Sequence, residues 1–157
     1  MADFVHNRSK GRFVEYAERV NASDPTNAAI IIEAINTTAT DATLKDLDDF
    51  AAIESDANTA EATNSGYARK TLTDAGGITV TYDDTNDRVD VDIPDQTWTA
   101  VAASPGAWTD LVTGYDSDTT AGTDSAIKPV SQHDFPVTPD GSDITAQIAT
   151  AGIWRSS

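Results

Sequence analysis

The chain of 157 residues has no cysteine, and that absence excludes disulfides, thiolate metal centres and cysteine nucleophiles together. Basic residues are scarce, ten against 26 acidic ones, for a formal net charge of −16. Phosphate backbones are gripped by Lys and Arg, so this balance argues against a nucleic-acid surface. There are two histidines, His6 and His133. His6 sits in a polar amino-terminal stretch and His133 merely adjoins Asp134, which gives little from which to build a general acid or base. No P-loop, dinucleotide fingerprint, HExxH or nucleophile-elbow motif occurs. The opening "MADFVHNRSKGRF" lacks the apolar core of a signal peptide, and no apolar run approaches membrane-spanning length. Glutamate is rare as well, 5 residues against 21 aspartates. Because Asp favours turns and caps where Glu suits helix interiors, this skew points away from a helical protein.

What is present reads as sheet. Threonine occurs 22 times and fits exposed strand faces. In "ITVTY" (78–82) Ile78, Val80 and Tyr82 alternate with Thr79 and Thr81, and in "VDVDI" (89–93) Val89, Val91 and Ile93 alternate with Asp90 and Asp92. These are two half-buried strands joined by the turn-rich "DDTNDR", which places Asp90 and Asp92 toward water and Asp83, Asp84 and Asp87 in the loop. "AAIIIEAI" (28–35) is a continuous apolar run suited to a central strand. "GYARKTL", "DLVTGYD", "AIKPVSQHDF" and "ITAQIA" supply further short strands separated by turn signals. One helix is expected, from Thr43 to about Ile53, opening on a Thr43/Asp46 capping pattern; "GRFVEYAERV" (11–20) fits either period, and the strand reading is favoured. "ESDANTAEATNS" (54–65) reads as a polar loop. The expected architecture is mainly β: a single-domain antiparallel β-sandwich or barrel with one short helix, residues 1–20 forming an amino-terminal arm or first strand and 21–157 the folded β-rich unit.

Charge is unevenly distributed. Arg8, Lys10, Arg12 and Arg19 give the first twenty residues a net +1 and leave −17 on the remaining 137. In an extended chain Arg8, Lys10 and Arg12 would lie along one side, a candidate contact for an acidic partner or another copy of the protein. "DSDTTAGTD" (116–124) is the best calcium-loop candidate, but Gly122 falls one place late for an EF-hand and no glutamate closes it, so no metal or cofactor is expected. The tryptophans Trp98, Trp108 and Trp154 suit either a core or an oligomer interface.

"TNSGYARKTLT" (63–73), "DDTNDRVDVDIPDQTWTA" (83–100), "GYDSDTTAGTDSAIKPVSQHDF" (114–135) and "VTPDGSDITAQIA" (137–149), with "NRSKGRFVEYAERV" and "ATLKDLDDFAAI", together resemble the minor capsid or head decoration proteins of tailed phages infecting actinobacteria. The resemblance spans most of the chain and rests on the order of these segments, none of which is chemically specific alone. The Gly-Tyr-Ala-Arg element also occurs in phage fibre and tail-associated proteins. What the resemblance implies is a non-enzymatic virion structural protein, synthesised in the host cytoplasm and docked on the capsid exterior. Its implied partners are the major capsid protein and copies of itself, a homotrimer when docked, with neither nucleic acid nor membrane. The alternative is a tail- or fibre-associated subunit, and an acidic binding module or unrecognised hydrolase ranks third.

Overall fold

A computed structural model describes residues 2–149 and 152–156. The strands are β1 (Phe4–Val5), β2 (Ala29–Thr37), β3 (Thr59–Glu61), β4 (Lys70–Leu72), β5 (Thr79–Asp83), β6 (Arg88–Asp92), β7 (Gln96–Trp98), β8 (Trp108–Asp116), β9 (Lys128–Val137), β10 (Ile144–Ala146) and β11 (Trp154–Ser156). The helices are α1 (Phe13–Asn21), α2 (Asp41–Lys45) and α3 (Phe50–Ser55), with short 3₁₀ turns at Asn7–Ser9, Asp74–Gly76 and Asp124–Ala126. Every strand pairing is antiparallel. The central sheet runs β1-β9-β8-β2-β3, and β4 shares the outer edge of β2 with β3. Two small sheets, β11-β6-β5 and β10-β7, complete a mainly β, sandwich-like fold.

The apolar run becomes β2 because both of its faces are covered. Ile30, Ile32 and Ala34 join the larger core with α1 and the two small sheets, whereas Ala29, Ile31 and Ile35 pack with Phe50, Ile53, Val112 and Ile127 under α3. Strand parity therefore sends Glu33 to the α3 face, where it is wholly buried. Gly114 on β8 makes that packing possible: a Cβ there would stand 2.5 Å from the Phe50 ring.

Three expectations about helices and loops are corrected. Residues 13–21 form a helix, not a strand or a free arm, because Phe13, Tyr16, Ala17 and Val20 all find the core at helical spacing while Glu18, needed inside by the strand reading, is exposed. Tyr16 stacks on Tyr115 with ring centroids 4.4 Å apart. The expected single helix at 43–53 is two helices. Thr40 Oγ1 accepts from Thr43 N at 3.3 Å and Asp49 Oδ1 accepts from Ala52 N at 2.8 Å, so the Asp-rich middle caps a second start instead of continuing the first. Finally, 54–65 is not all loop, since it finishes α3 and contributes β3.

The tryptophans are core residues. Trp98, Trp108 and Trp154 are at most 4% exposed, and each indole N–H has a partner: Ala68 O at 2.8 Å, Asn64 Oδ1 at 2.9 Å and Ser131 Oγ at 2.6 Å. Trp98 and Trp108 meet edge to face at 5.3 Å. With rings filled in on all sides they offer no surface to an oligomer interface, which corrects that expectation.

Candidate functional site

The densest polar constellation surrounds Arg69. Gly66 adopts φ +89° where a Cβ would lie 2.7 Å from two carbonyl oxygens, so glycine permits the turn that launches Tyr67 and Arg69 toward the sheet. Arg69 meets Glu61, at the end of β3, through two hydrogen bonds of 2.8 and 2.9 Å. It also pairs with Glu54 of α3 and with Asp124 in the 3₁₀ turn before β9, and its Nη2 lies 3.5 Å from Glu33 Oε2. The guanidinium sits 5.7 Å over the Phe50 ring, and Tyr67 Oη donates to Glu61 Oε1 at 3.0 Å while accepting from Ala34 N at 3.0 Å.

Four carboxyl groups around one cation raise the question of which stays ionised. Glu33 has no hydrogen bond to either oxygen. Burial, reinforced by Glu61, Glu54 and Asp124, outweighs the attraction of Arg69 and pushes the Glu33 carboxyl up to about 9, so it is neutral at pH 7. Burial also raises the Glu54 carboxyl. Carboxylate oxygens of Glu33, Glu54 and Glu61 lie within 4.8 Å of one another, the spacing of a metal site. Arg69 Nη2, however, contacts all three. The site thus carries its own cation, and what the arrangement does is join β2, β3, α3 and the 124–126 turn to the segment leading into β4.

A second constellation has the connectivity of a hydrolase relay. Asp3 Oδ2 lies 3.3 Å from His133 Nδ1, and His133 Nε2 lies 2.8 Å from Ser131 Oγ. That hydroxyl is also bonded to Trp154 Nε1 at 2.6 Å and to Thr113 Oγ1 at 2.7 Å, and Ser131 is 2% exposed. A nucleophile needs an open approach, and this oxygen is surrounded. The relay instead fastens both ends of the described chain to β9: Asp3 Oδ1 accepts from Asp134 N at 2.9 Å, and Trp154 holds Ser131. A cavity of about 300 Å³ beside His133 is lined by Ile32, Leu111, Phe135, Ile148 and Ile153.

The residues singled out by sequence are scattered. Arg8 pairs with Asp48 at 3.5 Å, Arg12 and Arg19 both pair with Glu15 (3.1 and 3.0 Å), and Lys10 is exposed. Arg8 belongs to a 3₁₀ turn and Arg12 is the N-cap of α1, so the three early cations do not line one side of an extended strand. The calcium-loop aspartates also diverge. Asp116 accepts from Asp118 N, Asp118 caps Thr120, and Asp124 turns to Arg69. In the acidic hairpin Asp90 does more than face water: it bonds Arg155 of β11 at 2.5 Å and lies 3.2 Å from Arg88, which also meets Asp83 at 3.1 Å. Sequence reasoning passed over Glu33 and Arg69; the available signal was one glutamate inside "AIIIEAI", where a carboxyl forced into a core demands an answering group.

No protein-family model matches the chain, and neither a curated protein nor a solved structure matches it.

Proposed function

We propose that the chain is a non-enzymatic structural protein of a virion, docking on the outer face of a phage capsid as a minor capsid or decoration protein. The observation that carries this reading is the segregation of surface charge. Arg8, Lys10, Arg12 and Arg19 all fall in the stretch that forms the 3₁₀ turn and α1, with Arg8 answered by Asp48 and Arg12 and Arg19 by Glu15, while residues 21–157 carry −17. An acidic, threonine-rich body stays solvated and repels its like, which leaves the α1 corner as the place where a shell of opposite charge, or an adjoining copy, is engaged. The resemblance to head decoration proteins supports the same assignment, with the major capsid protein as partner and a homotrimer as the docked form. Among the described residues Tyr82 is the one large apolar side chain left exposed, so adhesion through a broad greasy patch is not what this surface offers.

The test is electron microscopy of purified particles, which should show this protein on the head shell as three-fold clusters. Replacing Arg8, Lys10, Arg12 and Arg19 with Ser should lower occupancy, and raising ionic strength should lower wild-type occupancy in parallel, because exposed charges are the ones salt screens. Mass on the tail would make the chain a tail or fibre subunit instead. Absence from particles would end the virion reading.

A further inference from the structure

A histidine is sealed inside the seam that holds the amino-terminal segment to the fold. β1 adds only two residue pairs to the central sheet, Phe4 opposite Gln132 and Val5 opposite Ser131. Beyond it the His6 N–H donates to Val130 O at 2.9 Å, and Ser9 Oγ donates to Pro129 O at 2.5 Å. The apolar side of the seam is a small cluster, Phe4 with Ala39 and Leu44. A segment attached by so little is one that opens alone, at a free energy below that of global unfolding.

His6 is fully buried, its ring centroid 5.1 Å from that of Phe4. Neither ring nitrogen meets a partner at good hydrogen-bond geometry among the described residues. A neutral imidazole withdrawn from water with both nitrogens unmet already disfavours the closed segment, and an imidazolium in the same place would disfavour it far more. Burial accordingly holds the ring down to about 4, against the Leu44 backbone, which favours the charged form.

The charged groups on the elements around it are turned to other partners. On α2, Asp41 accepts from the Ala2 N–H at 3.2 Å and Lys45 lies 4.8 Å over the Phe4 ring, while Asp46 at its end takes the Asn7 amide. In the 3₁₀ turn Arg8 faces Asp48 at 3.5 Å, and Lys10 beyond it is exposed. On β9, His133 and the Asp134 N–H engage Asp3, and Lys128 sits 5.6 Å over the Tyr115 ring. None of these is a hydrogen-bond partner of the His6 ring.

We propose that His6 is an acid-operated latch, whose protonation opens residues 2–9, β1 with the 3₁₀ turn behind it, away from β9 and α2 while the rest of the fold stands. Once the segment is open the ring meets water and regains its ordinary value of 6.5, so protons bind the open form first. Opening therefore becomes more frequent as pH falls below 6.5, by up to about tenfold per pH unit, until the closed form also takes up the proton near pH 4. Each opening uncovers the β9 edge at 130–132 and parts Arg8 from Asp48. The inference is independent of the virion reading.

Amide hydrogen exchange of the full chain, followed by NMR from pH 7 to 4.5 at constant ionic strength and corrected for intrinsic exchange, tests it. The His6 amide, closed on Val130 O, should lose at least about tenfold in protection over that span. At every pH the segment should stay far less protected than β2 and β8, the sign that it opens by itself. His6→Phe should flatten the pH dependence, and His6→Leu covers the case in which a phenylalanine does not fit. His133→Gln should keep the wild-type dependence. In wild type the His6 ring resonance should titrate well below 6.5, a reading that needs no substitution. Protection that holds level from pH 7 to 4.5 would overturn the proposal, as would a ring that titrates at its ordinary value or a segment exchanging only together with the core. A dependence that survives in both His6 variants would assign the effect to carboxyl groups such as Asp3 and Asp41, and one lost in His133→Gln would assign it to the other histidine; either rejects the latch.

Discussion

The Arg69 cluster and the Asp83–Arg88–Asp90–Arg155 hairpin use the same two kinds of charged group, and their surroundings set them to opposite ends of the scale. On the α3 face the carboxyl of Glu33 is sealed from water and held neutral, up at about 9, with a guanidinium 3.5 Å away. On the hairpin Asp90, bonded chiefly by Arg155, is held below the ordinary carboxylate range. A cation beside a carboxyl does not by itself decide ionisation; how far water has been excluded decides it first. Ion pairs therefore have different meanings in the two places: the buried set is a joint between several elements, and the hairpin set, nearer water, is the more sensitive to salt.

That contrast is broken most severely by Arg69→Ala. It leaves four carboxyl groups facing one another without their cation, and unfolding in urea at pH 7 should show a loss of about 3 kcal/mol or more. The loss should shrink toward pH 4 as the glutamates take up protons. Glu33→Gln should act in the opposite sense. Between pH 4.5 and about 9 the folded protein holds a proton on Glu33 that the unfolded chain releases, so wild-type stability falls as pH rises through that window. One proton contributes a slope of at most about 1.4 kcal/mol per pH unit. The amide removes it, so the variant should be markedly more stable than wild type at pH 8 and nearly equal to it at pH 4.5. Equal stability curves across the window would show that Glu33 is ionised inside the fold.

A smaller effect is expected at the core tryptophans. Trp154→Phe keeps a ring against Phe13 but deletes the donor to Ser131 Oγ, and should cost about 1 kcal/mol in the isolated chain. No such loss would contradict the placement of this indole in the core. Least of all, Arg155→Ala on β11, beside the hairpin, should move the melting temperature slightly at low salt and leave it unchanged at high salt, with faster hydrogen exchange confined to β11.

Much of the fold was legible because it follows from period alone. The alternation of 78–82 and 89–93 became β5 and β6, and the unbroken run at 28–35 became the strand with both faces covered. At "GRFVEYAERV" both periods matched locally, and the deciding fact, that Tyr115 waits to stack on Tyr16, lies about a hundred residues away in the chain. The two-helix break in 41–55 was misread for a different reason: Thr43 and Asp46 imitate a cap, while Thr40 and Asp49 make the real ones. The Arg69 cluster was illegible because its members are drawn from five separate segments and meet only after β2, β3 and β4 have paired.

The fastening of Asp3 and Trp154 to the same strand has a temporal consequence. Phe4 pairs with Gln132 and Trp154 closes over Phe13, so these outermost contacts join positions more than a hundred residues apart. Contacts between such distant positions slow folding, since the intervening chain must first be brought to order. During synthesis, the amino-terminal helix must therefore wait for β5, β6 and Tyr115 before most of its buried face is covered, and Phe13 waits longest, for Trp154. A nascent chain ending short of Trp154 would present Phe13 to the solvent, and folding of this protein should be slow to begin on the ribosome and abrupt once that ring emerges.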